Sequence, residues 1–168
     1  MKRLICLLLF VSLFSLPGCN TPSASEYDTP VYFYYPYADV DLYEEKGIVD
    51  CEVREGAGFA TDPELINNYL KGPKRNELYS PFPAGGYASD ATISGNRIRV
   101  ILSSDFNHLV GLQLTMATSC LGLTLLESKN VAIVEIHILA DDGSISRSFF
   151  LTRDNIMLKD TYKALPAE

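Results

Sequence analysis

The rhythm of apolar and polar positions changes several times along this chain, and each change marks an element. Residues 4–16 are apolar apart from Cys6 and two serines, and Lys2 and Arg3 precede them. Residues 20–30 are small, polar and broken by prolines, the pattern of a flexible spacer. Val31 to Tyr35 predicts a first strand stopped by Pro36, and Ile48 to Arg54 alternates as a second, with an acidic loop over 38–47 between them. Leu65, Ile66, Tyr69 and Leu70 then fall on one stripe of a helix. Its start is written in Thr61-Asp62-Pro63-Glu64, where Thr61 with Glu64 forms a capping box, or Asp62 caps with Pro63 in the first turn. Gly72-Pro73 ends it, since glycine accepts a left-handed backbone and proline cannot continue a helix.

After a connection carrying Pro81, Pro83, Gly85 and Gly86, Ala88 to Ile93 and Arg97 to Ser103 read as a hairpin across Gly95-Asn96. Ile98, Val100 and Leu102 share one face of the return strand, opposite Arg97 and Arg99. Ser103 or Ser104 is placed to cap a second helix running to about Leu126, apolar on most sides and so largely buried. Val131 to Ala140 predicts a long strand, Asp141-Asp142-Gly143-Ser144 a turn, and Ile145 to Leu151 its antiparallel partner. The order ββαββαββ predicts an α+β fold, two helices packed on a mixed, mostly antiparallel sheet.

The leading run is too short to span a bilayer comfortably, which takes about 20 residues. With its basic start it reads as an export signal over residues 1–18. Leu16-Pro17-Gly18-Cys19 resembles a lipobox, which implies that Cys19 carries diacylglycerol and becomes the mature N-terminus. The expected organisation is a signal over 1–18, a linker over 19–30, one domain over 31–151 and a C-terminal extension over 152–168. Loss of Lys2 and Arg3 makes an already acidic chain, at formal net charge −7, more acidic still. That charge and the lack of a basic cluster exclude nucleic acid as a partner, so the lipid anchor, not electrostatics, is expected to hold the chain on a membrane.

Candidate chemistry is sparse. His108 lies near Asp105 and His137 alternates with Glu135, but neither has metal-ligand spacing around it, so no metal or cofactor is expected. No Gly-x-Ser-x-Gly elbow is present, neither Ser103 nor Ser119 has a base nearby in sequence, and Cys120 falls in an apolar helix that disfavours a thiolate. No catalytic residue is expected. Asp39, Asp41, Glu44 and Glu45 crowd one acidic loop, which reads as solvated surface. Cys51 and Cys120 either join in a disulfide, which would add on the order of 4 kcal/mol, or stay apart as small apolar thiols. The strongest candidate surface is aromatic. Alternation sets Tyr32 and Tyr34 on one strand face and Phe33 and Tyr35 on the other, so one pair is core. Tyr32, Tyr34, Tyr37 and Tyr43 are the candidate interface, for protein or for stacking on sugar rings. The competing reading covers both faces.

Several residues together resemble the GerM domain family, named from a spore-germination lipoprotein. They are the opening Val31-Tyr32-Phe33, the helix end Tyr69-Leu70-Lys71-Gly72-Pro73, then Pro83-Ala84-Gly85, then Val100-Ile101-Leu102-Ser103 with Phe106, and the strand Val131 to Leu139 before Gly143. The resemblance implies a compact α+β domain without known catalytic residues, acting in bacterial envelope complexes, in the best-known cases during sporulation and germination. It implies a role in placing or stabilising partner membrane proteins, with contact to peptidoglycan as a further prospect. Two departures stand out: Ile101 replaces an aspartate often found in that strand, and the founding protein has two tandem copies where this chain has room for one. The expectation is a lipid-anchored scaffold for other envelope proteins, extracytoplasmic, on the cytoplasmic membrane. The alternatives are a binder of cell-wall ligand through its tyrosines, and an envelope hydrolase with dispersed residues.

Overall fold

The computed structural model describes residues 30–54 and 61–156. The expected signal with Cys6, the expected lipidation residue Cys19, most of the expected linker and residues 157–168 lie outside the described residues. The chain opens with β1 (Val31–Pro36), a 3-10 turn (Val40–Leu42), a single helical turn α1 (Tyr43–Lys46) and β2 (Val49–Arg54). Next come α2 (Asp62–Leu70), β3 (Ala88–Ser94), β4 (Arg97–Leu102), a 3-10 segment (Ser104–His108), α3 (Gly111–Ser128), β5 (Ile133–Leu139) and β6 (Ile145–Leu151).

Local chemistry accounts for α2. The Thr61 hydroxyl accepts the Glu64 N–H at 3.3 Å, a cap worth about 1 kcal/mol. At the other end Gly72 takes φ +96, where a Cβ would be strained. Helix α3 differs from its expected start. Ser103 does not cap it, because its hydroxyl donates to Asp105 and accepts the Tyr87 N–H. The chain instead makes a 3-10 segment, passes extended through Leu109 and Val110, and enters α3 at Gly111 with φ +53. Arg147 reaches over from β6 to hold the Leu109 carbonyl at 2.9 Å, which keeps this stretch out of a helix.

The strands form two sheets rather than the one expected. β1 and β2 make an antiparallel ribbon, and β3-β4-β5-β6 a four-stranded sheet. In the larger sheet β4 and β5 are parallel, linked by the α3 crossover, and the two outer pairings are antiparallel. Ile98, Val100, Leu102, Val134, Ile136 and Ile138 turn inward and are fully buried. Helix α3 packs against β1 and against β5 and β6. An apolar surface on every side is what such a sandwiched position requires. Ribbon and sheet therefore share one core, which also buries Ile156 beyond β6.

Candidate functional site

The buried residues of the four-stranded sheet all lie on one face, so the opposite face carries the polar positions. Register sets them in rows: Thr92, Arg99, Glu135 and Phe150 in one, Asp90, Ile101, His137 and Ser148 in the next. A relay joins the two rows. His137 Nδ1 is 2.7 Å from Ser148 Oγ and its Nε2 is 2.9 Å from Glu135 Oε1. Glu135 Oε2 in turn accepts from Arg97 at 3.3 Å. Both imidazole nitrogens are thus engaged and the side chain is only 11% exposed. Beside the relay lies a depression of about 630 Å³ between Arg97, Arg99 and Glu135, edged by the hydroxyls of Thr92 and Ser94. Sequence reading paired Glu135 with His137 but missed Ser148. The available signal was the Asp142-Gly143 turn, from which an antiparallel count brings Ser148 opposite His137.

A second concavity, about 1150 Å³, runs between β2 and the end of α2. Its charged groups are committed to one another. Glu52, 5% exposed, accepts from Arg54 Nε at 2.6 Å and from the backbone amides of Lys74 and Arg75 at 2.7 and 3.0 Å. Burial works to raise the Glu52 carboxyl, but these hydrogen bonds outweigh it and hold it below the ordinary carboxylate range. Arg54 also donates to the Gly72 carbonyl and lies 4.7 Å over the Phe33 ring. Arg75 pairs with Asp50 and Glu77.

Strand edges are the remaining places where backbone polarity reaches the surface, and side chains grip each of them at one residue. On β1 the Tyr34 N–H donates to Thr124 Oγ1 at 3.0 Å, while the Tyr69 hydroxyl donates to the Tyr34 carbonyl. On β2 the Cys51 N–H goes to Asp50 and its carbonyl accepts from Arg75. On β3 the Asn67 amide acts as a strand surrogate, accepting the Ala88 N–H at 2.8 Å and donating to its carbonyl at 3.0 Å. On β6 the grip is slight: Asn155 donates to the Phe150 carbonyl at 2.9 Å.

The tyrosine surface expected from the sequence is corrected by this packing. Tyr34 and Tyr37 are 1% and 5% exposed, while Tyr32 and Tyr43 are half-buried. Both faces of β1 are covered because Phe33 and Tyr35 stack on Tyr69, with centroids at 5.0 and 4.8 Å, while α3 closes over the strand. Tyr37 donates to Asp50, and burial together with that carboxylate pushes its hydroxyl up to about 12. Of the two readings of the cysteines, the structure has the second: Cys51 and Cys120 are free thiols. Cys51 sits half-buried on β2 opposite Tyr34, and Cys120 is buried within α3, where desolvation raises its pKa far above the usual value. His108 is exposed in the 3-10 segment, apart from His137. Asp39 caps its own short turn by accepting the Asp41 N–H. Among the described residues no three His, Cys, Asp or Glu side chains gather as a metal site, and no helix is long and apolar enough to cross a membrane.

Comparison with known proteins sets a frame for these features. No protein-family model matches the chain, and no curated protein does. The structure is similar to one solved for the tandem GerMN domains of the sporulation protein GerM from Bacillus subtilis, at TM-score 0.51 and 16% sequence identity. The match covers 78% of this chain and 48% of that one, so this chain spans about half the length of its structural relative. The likeness is one of fold: the domain is GerM-like in architecture.

Proposed function

From a GerM-like fold as premise, we infer that this chain is a lipid-anchored, extracytoplasmic binding module of a bacterial envelope complex, working by holding partner proteins rather than by catalysis. The observation that carries the reading is the shared fold with GerMN domains of a sporulation protein. The leader ending in Leu16-Pro17-Gly18-Cys19 supports the location, because two acyl chains hold a protein far more firmly than one. The mutual neutralisation of Glu52, Arg54, Arg75 and Asp50 supports the role, since charges so committed are structural. Crosslinking of the tethered protein in its native membrane, followed by mass spectrometry, tests the reading. Reproducible capture of one or two membrane proteins, lost when Cys19→Ala leaves the chain untethered, is expected. Sedimentation with purified peptidoglycan and no protein capture overturns it.

The hydrogen-bonded relay Ser148–His137–Glu135 favours a second reading, an envelope hydrolase, because it joins a hydroxyl, a base and an orienting carboxylate. Against it, Ser148 stands within a regular strand and the imidazole is nearly buried. A serine-directed fluorophosphonate decides between them: labelling of Ser148 supports hydrolysis, and the binding reading expects none.

A further inference from the structure

We propose that β6 is a docking edge at which an extended segment of a partner polypeptide, carrying a carboxylate between apolar residues, adds as a fifth strand to the four-stranded sheet. The proposal deepens the binding reading above and rests on it.

The argument begins with parity along β6. The Phe150 carbonyl points out of the sheet, since Asn155 caps it. In an antiparallel ladder alternate residues face the same way, so the Ser148 N–H and C=O and the Phe150 N–H also face outward. Among the described residues no hydrogen bond satisfies them. Open backbone groups in a row are complementary to one thing, another extended chain. The other edges are each held at one residue through both backbone groups. β1 is held at Tyr34 by Thr124 and Tyr69, and β2 at Cys51 by Asp50 and Arg75. β3 is clamped by Asn67 from α2, which packs against it, and carries a bulge beside Asp90. Strand β6 has no proline, lysine or carboxylate, and its one charge, Arg147, lies on the core side where it holds the Leu109 carbonyl. Phe150, 53% exposed, and Ile145, 55% exposed, stand at its two ends as apolar contacts.

Charge and register choose the occupant. Arg147, the only charge on β6, spends one nitrogen on the Leu109 carbonyl and has no carboxylate partner among the described residues, so an added strand crossing it is favoured with Asp or Glu there. A second copy of this chain fits poorly. A two-fold centred on Ser148 needs the Phe150 carbonyl that Asn155 holds, and one centred on Arg147 sets two guanidinium groups face to face.

Panning a displayed library of random decapeptides against the lipidated full chain in detergent micelles tests the idea. Enriched peptides should alternate apolar residues around an Asp or Glu. Ser148→Pro removes the outward N–H, a change that edge strands tolerate, and should weaken those peptides about tenfold, the worth of a ladder hydrogen bond. Ser148→Ala, which loses only the hydroxyl, should bind them as the wild type does. Arg147→Gln, which keeps an amide donor for the Leu109 carbonyl but no charge, should lose the acidic preference. Amide exchange gives a readout independent of any variant's folding: peptide should slow Ser148 and Phe150 in the wild type. Absence of enrichment, binding indifferent to Ser148→Pro, or amides already protected in the free chain by its own residues 157–168 or a second copy would overturn the proposal. If crosslinking in native membranes still captures the same partners with Ser148→Pro, binding stands and the edge does not. If peptides bind the edge while native membranes give no capture, the edge stands and the envelope reading fails.

Discussion

Helix α3 carries two buried threonines that look alike in sequence, and the structure separates their roles. The Thr124 hydroxyl, 1% exposed, accepts the Tyr34 N–H at 3.0 Å and so serves the outer edge of β1. The Thr118 hydroxyl, 5% exposed, donates back to the Leu114 and Thr115 carbonyls of its own helix. Valine matches threonine in shape, so Thr→Val opens no cavity at either position and changes hydrogen bonding alone. At 124 it leaves a buried backbone N–H without its acceptor, a cost of about 1–3 kcal/mol. At 118 the helix carbonyls keep their backbone donors, nothing is orphaned, and the expected change is within about 0.5 kcal/mol. Urea unfolding of the two variants beside the wild type, read by far-ultraviolet circular dichroism, measures the difference. Equal losses, or a larger loss at 118, would refute the claim that α3 hydrogen-bonds the edge of β1.

Glu52→Gln should destabilise by about 3 kcal/mol at neutral pH, because it leaves Arg54 half of a buried pair. The Glu52 and Asp50 carboxyls are held low in the folded state, so their contribution is present above the ordinary carboxylate pKa and lost as pH falls through the folded value. The gap between variant and wild type should therefore close below about pH 4 in acid titrations of stability. Gly86→Ala places a Cβ 2.7 Å from the Phe106 ring and 2.9 Å from Pro83 Cγ; a loss of about 1–3 kcal/mol in thermal unfolding is expected from such overpacking. A maleimide applied without reductant should label Cys51 in the native protein and Cys120 only after denaturation. Absence of both until reduction would show a disulfide instead.

Much of the fold was legible because its signals are local. Thr61, Pro63, Gly72 and Pro73 bound α2 with chemistry that acts within a few residues, and the Gly95 and Gly143 turns place four strands to within a residue or two. The stripe Leu65, Ile66, Tyr69 and Leu70 named its own buried face. The all-round apolarity of α3 announced a central helix before any partner was known.

What tertiary structure alone decided concerns which partners those elements meet. The Val31–Tyr35 alternation cannot say that α3 and Tyr69 close over both faces of β1, and that closure removes Tyr34 and Tyr37 from the surface. The late start of α3 depends on Arg147, 38 residues away, holding Leu109. The division into a ribbon and a sheet, the Ser148–His137–Glu135 relay and the slight grip on β6 all follow from strand register and long-range side-chain reach. Turn and cap energies belong to neighbours along the chain, so the sequence by itself determined where elements begin and end. Edge hydrogen bonds and burial belong to neighbours in space, and only the folded arrangement determined which surfaces remained open to bind.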